Sequence, residues 1–199
     1  MIRGMNHQPF IVLVRELHRA TKRRMDIIQK TVTGFTGGTG LSGGAYGETY
    51  EKVFVQICFE RNLRIEVSPF GAVTDVYFHD YRAMLQIKTN QGGKKCFVYN
   101  GGKTKNKGGT RGEAVALYVE RVEEQFNDVY EAAENFYLLS YNAKANTLDV
   151  YWLATTEGKK VAFIDDFIHQ QAKGYDADAR VGMQLEFSMC VLRKIYGNP

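Results

Sequence analysis

The chain is short of every marker that would place it outside ordinary globular proteins. It has 3 cysteines (Cys58, Cys96, Cys190), an odd number, widely spaced and without a CxxC pair. That excludes a disulfide framework or a structural zinc knuckle and suits reduced thiols in a cytoplasmic protein. The 4 histidines (His7, His18, His79, His169) show no HExxH spacing, and His79 falls at an expected turn. No apolar run approaches the roughly 20 residues that span a bilayer. The run from Pro9 to Val14 is cut at once by Arg15 and Glu16, so neither a membrane segment nor a signal peptide is expected. No GxxxxGK[ST] loop occurs, so no nucleotide cofactor is expected, and neither internal repeats nor coiled-coil heptads are found.

What is present suits one domain-sized core. The 199 residues are 44% hydrophobic and 24% charged, ordinary for a globular fold. The net charge of +4 says little by itself, but its distribution is uneven. Residues 94–111 hold Lys94, Lys95, Lys103, Lys105, Lys107 and Arg111, without an acid and with paired glycines. This basic loop is expected to contact DNA, since flexible lysines neutralise phosphates without fixed geometry.

The most telling stretch runs from Thr74 to Phe78 and, after His79–Arg82, from Ala83 to Thr89. Both halves alternate apolar and polar residues, the period of half-buried strands. In a hairpin, Asp75 and Tyr77 share one face, and Gln86 and Lys88 share a face of the next strand, so acid, amide and lysine converge. Taken singly, Asp75 reads better as a turn aspartate, and Gln86 and Lys88 as solvated strand positions; it is their convergence, with Glu51 upstream, that favours a site. Upstream, Tyr50, Val53, Phe54 and Ile57 recur at helical spacing, and Leu63–Val67 alternates as a strand.

Helix, strand, strand, strand with this acid, amide and lysine resembles the core of the PD-(D/E)xK nucleases. Asp75 matches the motif aspartate, and Gln86-Ile87-Lys88 matches the tripeptide in its QxK form, similar to Mrr-type restriction enzymes. Glu51, after Gly47 and Tyr50, matches the glutamate that family members carry on the preceding helix. The chain departs from the pattern in having Thr74 for the proline and Gln86 for the acid; the amide leaves the metal site one negative charge short. The resemblance implies an α/β fold with a restriction-endonuclease-like core, a mixed five-stranded sheet flanked by helices. It also implies Mg²⁺ held by Asp75, Gln86, the Ile87 carbonyl and Glu51, with Asp75, Gln86, Lys88 and Glu51 as the catalytic set.

Organisation follows from these matches. Residues 1–46 are expected to be a basic helix (Ile11–Val32), which fits a basic surface for DNA or a dimer interface alike, and a glycine-rich segment, 47–155 the nuclease-like core, and 156–199 a helix and strand packing on it. For residues 33–47 a mobile linker and a loop entering a DNA groove fit alike. Glu48 is expected near the first turn of its helix, where it favours the dipole. A helix over 112–134, strands over 135–141 and 147–155, a helix over 164–172 and a strand from Val181 complete the expectation. The implied function is a Mg²⁺-dependent DNA endonuclease, foremost a homodimeric Type II-like restriction enzyme on duplex DNA. The alternatives are a structure-specific nuclease such as a Holliday-junction resolvase, and a non-catalytic DNA-binding protein on a degenerate nuclease fold.

Overall fold

In a computed structural model, the residues described are 6–36, 40–68, 74–90, 96–99, 133–153, 183–186 and 192–197. Two helices lead the chain. Helix α1 spans Gln8–Thr36, with the Asn6 side chain accepting from the Gln8 N–H and Pro9 in the first turn, where its missing donor costs nothing. Helix α2 spans Gly43–Glu60; Ser42 caps it by accepting from the Ala45 N–H, and Asn62 ends it in the left-handed region (φ 55°). Gly43, Gly44 and Gly47 are therefore helical, not part of a linker or loop, because a serine cap and tertiary packing outweigh their poor propensity. The same shift moves Glu48 out of the first turn; it pairs with Lys52 one turn on, at 2.6 Å.

The strands are β1 Ile65–Val67, β2 Val76–Phe78, β3 Ala83–Asn90, β4 Cys96–Tyr99, β5 Asn135–Asn142, β6 Thr147–Leu153, β7 Met183–Glu186 and β8 Leu192–Tyr196. A 3-10 turn, His79–Tyr81, and Arg82 at φ 45° join β2 to β3. Six strands form one open mixed sheet in the order β1-β2-β3-β5-β6-β8. Among the described strands only β3 and β5 run parallel, from Ala83↔Asn135 to Asn90↔Asn142; the other neighbours are antiparallel. The architecture is α/β, but with six strands rather than the five expected. The sixth, β8, comes from the tail beyond residue 156 and pairs with β6, because that edge was open to a further ladder. A separate antiparallel pair joins β4 to β7, so residues 96–99 are a strand within the stretch expected to be a basic loop.

Helices α1 and α2 pack together on one sheet face. Val14, Leu17, Tyr50, Phe54, Phe78, Leu85, Tyr137 and Leu139 lie in one buried cluster, each large side chain contributing about 1.5–3 kcal/mol. Tyr50, Val53, Phe54 and Ile57 are all buried, as their spacing demands. At the alternate positions Met84, Phe136, Leu138 and Tyr151 are also buried, so both faces of the central strands are covered. Among the described residues no helix is long and apolar enough to cross a membrane.

Candidate active site

The site lies where β2 leaves β3. Their pairing stops at Val76↔Leu85, while β3 continues to Asn90 along β5. Asp75 sits at this divergence. Its N–H donates to the Leu85 carbonyl at 2.9 Å, and its Oδ2 accepts from the Ile87 N–H at 2.6 Å. The carboxylate thus replaces a backbone carbonyl as the ladder partner of Ile87. In an antiparallel pair a residue's N–H and C=O point the same way, so the Ile87 carbonyl opens into the same gap. The Gln86 amide nitrogen reaches that carbonyl only at 3.5 Å.

Gln86 is 2% exposed, and its Oε1 has no hydrogen-bond partner. An orphaned buried carbonyl oxygen costs about 1–3 kcal/mol unless something meets it. Thr89 Oγ1 is buried and unpartnered as well, one residue beyond Lys88.

Helix α2 brings the second acid. A Cβ on Gly47 would stand 3.1 Å from Thr89 Oγ1, so a larger residue here would have to push that side chain aside by a few tenths of an ångström. One turn later comes Glu51, partly buried. Burial chiefly raises the Glu51 pKa, Lys88 opposes that rise, and Glu48 adds to it. Asp75 is pushed up to about 7, first by burial and then by the charge of Glu51; Lys88, the Ile87 N–H and the Gln86 amide pull the other way. Two carboxylates and one ammonium, each partly buried, thus act on one another, the kind of arrangement found where chemistry is done.

The structure therefore brings together Asp75, Gln86, the Ile87 carbonyl, Lys88 and Glu51. Lys94, Lys95, Lys103, Lys105, Lys107 and Arg111 lie outside the described residues, as do most of the helix expected over 112–134 and the helix over 164–172. His79 lies in the 3-10 turn, 3.6 Å from Glu66. Among the described residues no group of three or more His, Cys, Asp or Glu forms a metal cluster. A hard cation would find two carboxylates and one backbone carbonyl, oxygen donors of the type Mg²⁺ takes; the Gln86 amide turns its nitrogen to Asp75 and the Ile87 carbonyl, and its orphaned Oε1 would join the set once the amide is flipped. Sequence reasoning missed the Gly47–Thr89 contact; the signal available was Gly47 four residues before Glu51, on the same helix face. No family model, curated protein or solved structure matches the chain.

Proposed function

We propose that this protein is a Mg²⁺-dependent DNA endonuclease of the PD-(D/E)xK type, most simply a homodimeric Type II-like restriction enzyme cutting duplex DNA at a specific sequence. The observation that carries the reading is the Asp75 carboxylate on the Ile87 N–H, in electrostatic reach of Glu51 and Lys88 and beside the orphaned Gln86 oxygen. Asp75, Gln86 and the Ile87 carbonyl form the ligand set, with Glu51 sharing it or orienting Lys88. A divalent ion held there supplies a Lewis acid and a water of lowered pKa. The Ile87 N–H and the Gln86 amide fix Asp75, and a bound ion would displace the amide from the carboxylate. Lys88 orients the attacking water through its ammonium donors and offsets the charge that develops on the phosphoryl oxygens, a task suited to a compact cation. Two copies of one site cut the two strands of a palindrome.

One observation favours a second reading. Gln86 stands where an acid would complete the ligand set, which suits a non-catalytic DNA-binding protein on the same fold. Incubation with long duplex DNA, methylated and unmethylated, with Mg²⁺ or EDTA, separates the possibilities. Discrete Mg²⁺-dependent fragments support the restriction enzyme, and cutting confined to branched DNA supports a structure-specific nuclease. Intact DNA of every form, with salt-sensitive binding retained, supports the non-catalytic reading.

A further inference from the structure

An open groove of about 650 Å³ lies away from the Asp75 gap, between α1, the β5–β6 turn and β8. Arg15, Arg19 and Lys22 line it from one helix face, at spacings of 4 and 3, and Asn146 and Thr147 add polar side chains opposite. Among the described residues no acid lines it. The Arg15 guanidinium is seated over the Tyr196 ring, 4.6 Å from its centroid, which orients it without consuming its donors. Lys22 is shared with Asp26 one turn on, at 3.1 Å, an exposed pair worth little in water. Arg19 is exposed and has no ion pair among the described residues.

Arg15 to Lys22 covers about 10 Å of helix axis, longer than one phosphate and matched to a chain of them. The position agrees. Lys88 is level with Ser140 on β5, and the neighbouring Tyr141 hydroxyl donates to Asn146 Oδ1 at 3.2 Å on the groove's rim. The groove therefore opens at the same end of the sheet as Lys88, on the helix-covered face, with two strand spacings or about 10 Å between β3 and β6 in the plane of the sheet.

We infer that this groove is a phosphate-backbone subsite, in which Arg15, Arg19 and Lys22 hold the DNA strand flanking the one presented to Asp75 and Lys88. The inference rests on the nuclease reading for its ligand, but its contacts are sequence-independent and need no metal. They position the duplex and carry no base readout.

The test is anisotropy of a short fluorescein-labelled duplex in EDTA, where no metal-dependent cleavage occurs, over a range of salt. Circular dichroism serves as the control for folding. For Arg19→Ala/Lys22→Ala the expected result is weaker binding on every duplex sequence and a log affinity–log salt slope reduced by about 2, one for each lost contact. Unchanged affinity and slope in the folded double variant would overturn the inference, as would a wild-type protein that binds no duplex at low salt. The two proposals fail separately. Metal-dependent cutting with normal binding by the double variant removes the groove and keeps the active site. Groove-dependent binding without cutting under any condition does the reverse.

Discussion

Asp75 Oδ2 accepts from the backbone N–H of Ile87 at 2.6 Å, in the place a strand carbonyl would take. A carboxylate built into a sheet ladder is fixed without help from its own side-chain rotamers, but it is also drawn into poor solvation. Its raised pKa, about 7 against an ordinary 3.8, records that conflict.

The conflict predicts a stability cost. Between pH 3.8 and about 7 the folded protein holds a proton on Asp75 that the unfolded chain releases. Stability from this group therefore falls as pH rises through that window and stays lowered above it. Asp75→Asn keeps an acceptor for Ile87 without the charge. In EDTA it is expected to raise the melting temperature over wild type at about pH 8, with the gain shrinking toward about pH 4. Equal melting curves at both pH values would show that the ionised carboxylate carries no such cost.

His18 works in the opposite sense. Its Nδ1 lies 2.6 Å from the Tyr50 hydroxyl, and burial, then Lys22 and Arg19, lower its pKa from 6.5 to about 4. Below pH 6.5 the unfolded chain takes up a proton that the folded protein refuses, so stability is lost as pH falls toward 4. The full effect is on the order of 3 kcal/mol. His18→Gln keeps a partner for Tyr50 without ionising, and its urea midpoint is expected to fall less between about pH 7 and pH 5. Parallel pH dependence in both proteins would contradict this account.

Gly47 and Thr89 form a coupled pair. Gly47→Ala adds helix propensity worth about 1 kcal/mol but places a methyl 3.1 Å from a buried hydroxyl. It is expected to be neutral or destabilising alone and stabilising by about 1 kcal/mol in a Thr89→Ala background. A double-mutant cycle by chemical denaturation measures the difference; strict additivity would remove the close approach from the account.

Gln86→Glu supplies the acid that the proposed nuclease reading would have at this position. Without metal it sets a third carboxylate near Asp75 and Glu51, so a lower melting temperature in EDTA is expected. Mg²⁺ should then raise the melting temperature of the variant by more than it raises that of wild type. No Mg²⁺ shift in either protein would argue against a cation site here.

Regular periodicity made much of this fold legible. The alternation from Ala83 to Thr89 marks β3 to within a residue, and Tyr50, Val53, Phe54 and Ile57 mark the buried face of α2. Face assignment alone placed Asp75, Gln86 and Lys88 together. What escaped depends on contacts distant in sequence. The glycines before Glu48 signal a break locally, yet the Ser42 cap and the packing of α2 on the core hold them in a helix. Strand β8 pairs with the edge of β6, a partner that no local pattern near Arg193 and Lys194 identifies. The Asp75–Ile87 bond depends on where a ladder ends, and the basic groove joins α1 to β6 and β8 across more than a hundred residues.

The most direct measurement is cleavage of long duplex DNA by wild type, Asp75→Asn and Lys88→Ala, each with Mg²⁺ and with EDTA, alongside duplex binding by all three. Wild type is predicted to cut only with Mg²⁺, and each variant to cut at least about a hundredfold more slowly while binding persists. Undiminished cutting by either variant, or cutting by wild type in EDTA, would contradict a metal-dependent site built on Asp75 and Lys88.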